Sequence, residues 1–330
     1  MPSMQTITFF NNKGGVGKTT LLYHVAYALS DLGVPTVVID LDPQANLSSL
    51  FLKDDQLEKI WSGKAEKKGR PVLTPYSALE PLLEGTGAMQ TIAPLLMDDR
   101  LWLIPGDLRL SNFELELARL WSDCFRGDPR AIRITTAFHK MIVDATESTG
   151  AKFALIDVGP NLGSINRAAM VATDFVVVPL SADLFSLRGL RNLGPMLDQW
   201  KSEWELCRER SKSSSMSSGM PEGSMIPLGY TVNVFNVRNG EPVQAFAHWI
   251  NQSADAFAAS LGRQDSRDEL ARIKNYNSLM PEAHKARKPI FRVNNTQAAI
   301  DCGVDMSSLA ERILERMRQL KPEAGYKGAK

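Results

Sequence analysis

The sequence contains few of the residues that build disulfide frameworks and zinc sites. Its 330 residues include only three cysteines, Cys124, Cys207 and Cys302, which lie far apart and form no CxxC pair. That spacing argues against a disulfide framework and against a structural zinc site, and it suits a reducing compartment. The four histidines are scattered as well, and a lone histidine is more often structural than a ligand.

Long apolar runs and an excess of one charge are also missing. No run approaches the length of about 18 apolar residues that a transmembrane helix needs, and no apolar leader follows a charged start. We therefore expect a cytoplasmic protein. The 38 basic and 37 acidic residues give a formal net charge of +1, so any basic surface that binds nucleic acid must be local.

A glycine-rich segment near the N-terminus is flanked by patterns typical of a strand and a helix. The β-rich run 6–10 precedes it, and apolar residues at helical spacing follow over 21–32. In such a loop, glycines let backbone N–H groups converge on phosphate oxygens, and the helix adds its positive N-terminal end. The predicted nucleotide-binding residues are Lys13, Gly14, Gly15, Val16, Gly17, Lys18, Thr19 and Thr20.

Two side chains of this segment carry most of the expected chemistry. Lys18 is predicted to contact the β- and γ-phosphates, and the Thr19 hydroxyl is predicted to ligate Mg²⁺. The general P-loop pattern has a glycine where this sequence has Asn12, and a second lysine, Lys13, follows directly. A glycine-rich turn with two solvated lysines is the structural alternative, which the flanking strand and helix patterns disfavour.

The two lysines resemble the deviant Walker A motif of the ParA/MinD-type ATPases, and most closely that of the ParA partition proteins. The resemblance implies that Lys13 reaches across a nucleotide-sandwich homodimer to the phosphates of the partner. It implies that Lys18 binds the nucleotide of its own chain. Lys13 and Lys18 are therefore predicted catalytic residues, with ATP and Mg²⁺ as the cofactors.

Carboxylates stand at the ends of two further predicted strands. A β-branched run ends at Asp40, with Asp42 two residues later, and another apolar run contains Asp157 near its end. Because ligands bind beyond the carboxyl ends of strands in open α/β sheets, these side chains should lie near the glycine-rich loop. By resemblance to the same family, Asp40 helps to hold the waters of the magnesium ion, and Asp42 positions the attacking water as a catalytic residue. Asp157 acts on Mg²⁺ directly or through water, which makes Thr19, Asp40 and Asp157 the predicted metal residues.

The order of buried runs and helical patterns predicts an α/β fold. We expect a P-loop NTPase with a mostly parallel, twisted sheet and helices on both faces. Residues 1–330 are interpreted as a single ATPase domain with an insertion at 53–89. The Ser-rich stretch 211–225 cannot bury enough apolar area to offset its ordering entropy, which predicts a mobile loop.

Five further residues are assigned by the same resemblance or by local charge. Asn233 is expected in the adenine pocket. Arg238 follows the same predicted strand, where ParA-type proteins carry a basic residue for nonspecific DNA contact. Lys285, Arg287 and Lys288 form a basic cluster that could contact DNA, since phosphate contacts need charge rather than one fixed residue. A structural role for Arg238 stays open.

The resemblance also implies an activity and partners. It implies slow, Mg²⁺-dependent ATP hydrolysis stimulated by a ParB-like or other partner protein. The output would be partition of a plasmid or chromosome, or positioning of other cargo, on the nucleoid through nonspecific DNA binding. Residues 321–330 have almost nothing apolar, so a membrane anchor of the MinD kind is not expected.

Other functions stay open for the sequence alone. A P-loop ATPase can regulate or position a protein complex without touching DNA. A P-loop synthetase could hold a small molecule in residues 53–110. An electron-transfer ATPase similar to the nitrogenase iron protein would need paired cysteines, of which this sequence shows no sign.

Overall fold

The computed structural model describes residues 4–67, 69–212, 219–235, 237–238, 241–242, 244–261, 265, 268–276 and 279–321. Its strands are β1 (Gln5–Phe9), β2 (Thr36–Asp40), β3 (Glu66–Lys67), β4 (Arg70–Pro71), β5 (Leu95–Asp98), β6 (Leu101–Ile104), β7 (Phe153–Asp157), β8 (Phe175–Ser181), β9 (Ile226–Phe235), β10 (Val237–Arg238), β11 (Glu241–Pro242) and β12 (Glu269–Lys274). Eight of them form one sheet in the order β12-β9-β8-β1-β7-β2-β6-β5, and the others form the small hairpins β3-β4 and β10-β11.

The large sheet is mostly parallel, and the predicted α/β fold is confirmed. All neighbouring strands run parallel except β5, which is antiparallel to β6 at one edge. Every residue of β1, β2 and β7 is buried. This burial on both sides is expected for parallel strands that helices cover on both faces.

Helices lie on both faces of the sheet. The described residues form α1 (Lys18–Asp31), α2 (Asn46–Phe51), α3 (Asp54–Trp61), α4 (Pro75–Glu84), α5 (Phe113–Cys124), α6 (Pro129–Thr135), α7 (Ala137–Thr149), α8 (Ser164–Val171), α9 (Leu184–Arg210), α10 (Gln244–Leu261), α11 (Met280–Ala286) and α12 (Gln297–Leu320). Short 3-10 helices cover Leu108–Asn112 and Ile290–Arg292. Within the described ranges, no helix combines the length and the apolar character that crossing a bilayer requires.

Two apolar cores sandwich the sheet, because successive side chains of a strand point to opposite faces. On one face, Ile39 and Ile156 belong to a buried cluster with residues of α5, α7, α8 and α9. On the other face, Val38 and Leu155 belong to a cluster with residues of α1 and α12. The P-loop helix α1 is thus held between the sheet and the C-terminal helix.

The segment 53–89, interpreted as an insertion, packs against the rest of the chain at both ends. The Trp61 indole N–H donates to the Gly106 carbonyl at 2.9 Å, and Lys67 Nζ donates to the Pro94 carbonyl at 2.9 Å. Thr74 caps α4 and donates its hydroxyl to Asp107 at 2.6 Å. The interpretation of one domain with an insertion stays a prediction.

The Ser-rich stretch 211–225, for which the sequence predicts a mobile loop, contacts α9 through its C-terminal end. Residues 213–218 lie outside the described part of the chain. Beyond them, the Trp204 indole N–H donates to the Pro221 carbonyl at 3.0 Å, and Pro221 and Met225 are buried. Apolar residues among the polar ones thus pack near a large aromatic side chain on α9, and the mobile loop over 211–225 stays a prediction.

Helix α9 has a close contact with α10 where it contains Gly194 and Pro195. Ser260 Oγ accepts a hydrogen bond from Gly194 N at 3.2 Å and donates to the Leu190 carbonyl. A Cβ atom at position 194 would overlap the Ser260 backbone carbonyl. Glycine at 194 therefore allows close approach of α10, and it does so one residue before a proline that lacks a backbone N–H.

We predict that Gly194→Ala destabilises the protein. Alanine has the better helix propensity by about 1 kcal/mol, but forcing an atom into a packed contact costs about 1–3 kcal/mol. The clash should dominate, because a backbone carbonyl cannot rotate away as a flexible side chain can. Urea unfolding measures the net loss. Gly87→Ala is the control, since a Cβ at 87 meets only Pro81 Cβ at 3.6 Å, and equal stability of the two variants would contradict the prediction.

Candidate nucleotide-binding site

The loop between β1 and α1 has the backbone geometry of a phosphate-binding loop. Gly15 and Gly17 have φ angles of 76° and 82°, in the left-handed region that favours glycine. Gly17 directly precedes the first turn of α1, whose N–H groups therefore face the loop. Asn12, which replaces the glycine of the general motif, faces α9: a Cβ on Gly189 would lie 2.8 Å from Asn12 Oδ1.

Lys18 is buried at the base of this loop. Its residue is only 7% exposed. Burial lowers the pKa of its ammonium group. The nearby carboxylates of Asp157 and Asp42 raise this pKa, but the effect of burial is larger. The charged form of Lys18 therefore depends on nearby anions, and a phosphate in the loop would supply one more.

Asp157, the last residue of β7, forms a hydrogen bond with the P-loop segment. Its Oδ2 accepts a hydrogen bond from the Thr19 hydroxyl at 2.9 Å, and its Oδ1 is buried and has no hydrogen-bond partner among the described residues. Burial raises the pKa of this carboxyl well above its usual value, and the nearby Asp40 raises it further. A buried carboxylate oxygen beside a threonine hydroxyl fits a divalent cation, which would favour the charged form.

Asp40 is engaged more tightly by the protein than the sequence indicates. Its Oδ2 accepts from the backbone N–H and the hydroxyl of Ser48 at 2.8 and 2.7 Å, and its Oδ1 accepts from Asp42 N at 3.2 Å. Burial raises the pKa of Asp40 to about 7. Gly106 leaves room for this carboxylate, since a Cβ there would lie 2.8 Å from Asp40 Cγ. Ser48 and Gly106 are partners that sequence reasoning missed.

The carboxylates fit a magnesium ion that keeps water and phosphate ligands. Among the described residues, no group of three or more His, Cys, Asp or Glu side chains could hold a metal by itself. Mg²⁺ in phosphate-binding sites typically takes one or two protein oxygens, with phosphates and waters completing its octahedron. Thr19 and Asp157 meet that need, and Asp40 would act through its neighbours or through water.

Asp42 lies between the P-loop and the loop after β7. It is 6% exposed, and its Oδ1 accepts from Gln44 N at 2.9 Å. A Cβ on Gly159 would be 3.4 Å from the same oxygen, which shows how closely the two loops approach. Its role in positioning the attacking water stays a prediction.

The Lys13 side chain reaches the residue that caps the start of α9. Its Nζ pairs with Asp183 Oδ2 at 2.5 Å, and Asp183 Oδ1 accepts from Ser186 N as the cap of that helix. The Lys13 side chain is 29% exposed. Sequence reasoning missed Asp183, although an Asp three residues before a Ser at a helix start is a capping pattern that could have indicated it.

Asn233 lies at the edge of a cavity next to the P-loop. Its side-chain amide donates to the Val16 carbonyl at 3.0 Å, and its Oδ1 is buried with no hydrogen-bond partner in the described part of the chain. The cavity has a volume of about 350 Å³ and is also lined by Gly15, Gly17 and Thr20. Its size and its free amide oxygen suit a nucleobase, so the geometry supports the adenine-pocket prediction without testing it.

His24 connects α1 to the segment after α11. Its Nδ1 donates to the Thr20 carbonyl at 2.7 Å, and its Nε2 accepts from Ile290 N at 3.1 Å. Both ring nitrogens are thus used in the neutral form. Burial lowers the pKa of His24 to about 4.

The predicted DNA-contact residues do not form one free cluster. Lys285 and Lys288 are exposed and have no partner among the described residues. Arg287 is instead paired with Asp54 at 3.0 Å, with its side chain 21% exposed. The backbone of Arg238 lies in β10, but its side chain is outside the described part of the chain. Two exposed lysines thus stand beside an arginine that is paired with Asp54, and the DNA contact of this basic cluster stays a prediction.

Known proteins match this chain in sequence. Residues 4–207 match a family described as an AAA domain, over more than half of the chain. The chain is 27% identical over 263 residues to an uncharacterized protein of Methanocaldococcus jannaschii, covering 74% of this chain and 92% of that one. It is 29% identical over 194 residues to the chromosome partitioning protein ParA of Caulobacter vibrioides, covering 58% of this chain and 61% of that protein.

Solved structures share the fold. A protein of Corynebacterium diphtheriae superposes with a TM-score of 0.72 at 23% identity, covering 97% of this chain and 99% of that one. The ATP complex of a McdA variant from Cyanothece has a TM-score of 0.64 at 17% identity, covering 96% and 97%. At these identities the likeness concerns the fold alone.

The buried lysine, the left-handed glycines and the carboxylates at the strand ends define a P-loop ATPase. With the family match over 4–207 and the partition-protein relatives, the chain belongs to the ParA/MinD-type P-loop ATPases. The resemblance stated from the two lysines is thereby confirmed. The chain spans about three fifths of the length of the ParA relative, so the activity and partners of that protein enter only as proposals.

We predict that His24 makes the stability of this protein pH-dependent between about pH 6.5 and pH 4. An unfolded histidine titrates near 6.5 and the folded one near 4, so the unfolded chain binds the proton first. The contribution of His24 to the free energy of unfolding is fully present above the pKa of the unfolded histidine. It falls as the pH decreases toward the folded pKa, by at most about 3 kcal/mol for 2.5 pH units.

Urea unfolding of His24→Asn and wild type across this range measures the effect. The variant should be less stable at pH 7 and should lose less stability on acidification than wild type. His284→Asn changes an exposed histidine and is the control. Parallel pH profiles for wild type and His24→Asn would contradict the prediction.

Proposed function

We propose that this protein is an ATP-operated dimerisation switch that partitions DNA or positions another cargo. The observation that carries the proposal is the contrast between two lysines of one loop. Lys18 is buried with Asp42 and Asp157, where a phosphate of its own chain would sit. The Lys13 side chain extends out of the loop, is partly exposed and forms an ion pair with Asp183. Lys13 is thus free to serve a second copy once that contact is released.

The cycle starts when ATP and Mg²⁺ bind in the P-loop. When bound, the magnesium ion neutralises charge on the phosphates. Thr19 and Asp157 would hold the magnesium ion, and Lys18 would bind the phosphates. Asp42, next to Gly159, orients the attacking water. Slow hydrolysis, stimulated by a ParB-like or other partner protein, returns the monomer.

Exposed apolar side chains beside the site support association with a second copy. Leu162 lies in the loop after β7 and is 47% exposed, while Leu184 and Phe185 begin α9 and are 38% and 69% exposed. Leu184 and Phe185 directly follow Asp183, the partner of Lys13, and Leu162 lies two residues after Pro160, which is near Gly14 of the P-loop. Exposed apolar side chains close to a charged contact suit an interface that buries both.

We predict that Lys13→Ala abolishes ATP-dependent dimerisation while ATP binding persists. Lys18 keeps its own burial and partners, so ATP affinity should change by less than about tenfold, or 1.4 kcal/mol. Light scattering with ATP measures the dimer, a fluorescent ATP analogue measures binding, and phosphate release measures turnover. Lys201→Ala, an exposed lysine on α9, is the matched control. Dimers of Lys13→Ala at wild-type ATP concentrations would remove the cross-subunit role.

We predict ATP-dependent binding of random-sequence duplex DNA that Lys285 and Lys288 support. Each phosphate contact that is lost should lower the slope of log affinity against log salt by about 1, so the double alanine variant should lose about 2. Electrophoretic shifts over a salt series measure this. Lys152→Ala with Lys201→Ala is the control pair. If wild type dimerises with ATP and shifts no DNA, positioning of a protein cargo without DNA replaces partition.

A further inference from the structure

Glu114 on α5 reaches the loop that follows Asp157. Its two carboxylate oxygens accept hydrogen bonds from the first backbone N–H groups of α8: one oxygen from Ser164, the other from Ile165 at 3.0 Å. A carboxylate on two N–H groups at a helix N-terminus makes charge-assisted hydrogen bonds that the helix dipole strengthens. Glu114 thus fixes the point where the loop 158–163 enters α8.

A second side chain, that of Asn166 on α8, forms hydrogen bonds with the same loop. Asn166, which is 1% exposed, donates from its amide to the carbonyls of Gly159 and Asn161, each at 2.7 Å. Asn161 Oδ1 in turn accepts from Gly163 N at 2.8 Å. Hydrogen bonds from Asn166 and within the loop therefore fix its conformation, and Glu114 fixes its position relative to α5.

The front of the loop faces the nucleotide site. A Cβ on Gly14 of the P-loop would lie 3.8 Å from Pro160 Cγ, and a Cβ on Gly159 would lie 3.4 Å from Asp42 Oδ1. The residue before the loop's start, Asp157, accepts from Thr19. A shift of the loop would therefore displace its contacts with the P-loop and Asp42, which the proposed hydrolysis uses.

From these contacts we infer that Glu114 is a positioning residue for ATP hydrolysis, acting through the loop 158–163 rather than by touching the nucleotide. The inference rests on the proposed function. Hydrolysis needs an oriented water and metal, and a small misplacement lowers the rate strongly. Binding of the triphosphate is carried by the P-loop and Lys18, which Glu114 does not contact. Loss of Glu114 therefore lowers kcat and leaves nucleotide affinity nearly unchanged.

Glycine at position 163 offers an independent way to disturb the same contact. A Cβ there would overlap Glu114 Oε1 and would lie 2.9 Å from Asn161 Oδ1. The φ of Gly163 is −76°, so alanine fits the backbone conformation itself. The effect of Gly163→Ala therefore reports on crowding against Glu114 and Asn161, and a double-mutant cycle with Glu114 separates the first from the second.

The experiment compares Glu114→Gln with Glu116→Gln, a carboxylate two residues along α5 that pairs only with Arg119 and Arg130 among the described residues. Phosphate release gives kcat and KM, a fluorescent ATP analogue gives Kd, and hydrogen exchange with the ATP analogue bound reports the amides of 164 and 165. We expect Glu114→Gln to lower kcat about tenfold, equivalent to 1.4 kcal/mol, with Kd within about twofold. Exchange at 164 and 165 should speed up, while Glu116→Gln behaves as wild type.

A double-mutant cycle keeps the inference testable even if Glu114 variants lose stability. Gly163→Ala should lower kcat on its own, and adding Glu114→Ala should cost little more, because the two changes remove one contact. Equal kcat for Glu114→Gln and Glu116→Gln, or a fall in affinity as large as the fall in kcat, overturns the inference alone. Absence of phosphate release by wild type overturns the proposed function and the inference with it.

Discussion

The site depends on the register of three neighbouring parallel strands. Phe9 of β1 pairs with Asp157 of β7, and Asp157 pairs with Asp40 of β2. The loops that follow these strands therefore leave the sheet at one level, which brings the P-loop, Asp42 and the loop after Asp157 together. A slip of one residue would turn each carboxylate toward the opposite face of the sheet, so the apolar cores on both faces fix the chemistry as well as the fold.

Burial then gives these groups their unusual properties. Desolvation raises the pKa of Asp157 and Asp40 and lowers that of Lys18, because water no longer stabilises their charged forms. Such a site favours a ligand that presents an anion to the ammonium and a cation to the carboxylates. A magnesium triphosphate carries both, which is the property on which the proposed switch relies.

Local patterns predicted those parts of the site that depend on neighbours in sequence. Gly15, Gly17, Lys18 and Thr19 belong to one loop and its helix, so spacing and the flanking strand and helix patterns were enough to predict that they lie together. Contacts between distant residues were not predictable, because side-chain direction depends on how helices pack. Asp183 pairs with a lysine 170 residues earlier.

The same reason applies to contacts away from the site. The sequence places Arg287 in a basic cluster, and the fold brings Asp54, 233 residues earlier in the chain, to its guanidinium. The segment 211–225 contains enough serine to indicate solvation, yet Trp204 provides a surface for its last residues. The composition of a segment indicates how much apolar surface it contains. It does not predict which other element of the fold will pack against that surface.

Gly106 has a consequence for how such sequences diverge. Its φ is not among the positive values of the chain, so no turn demands glycine there. The neighbouring carboxylate of Asp40 excludes any side chain at that place. Positions 40 and 106 are therefore sterically coupled, and a smaller residue at 40 would leave Ala45 Cβ, at 3.2 Å, as the next atom to limit a side chain at 106.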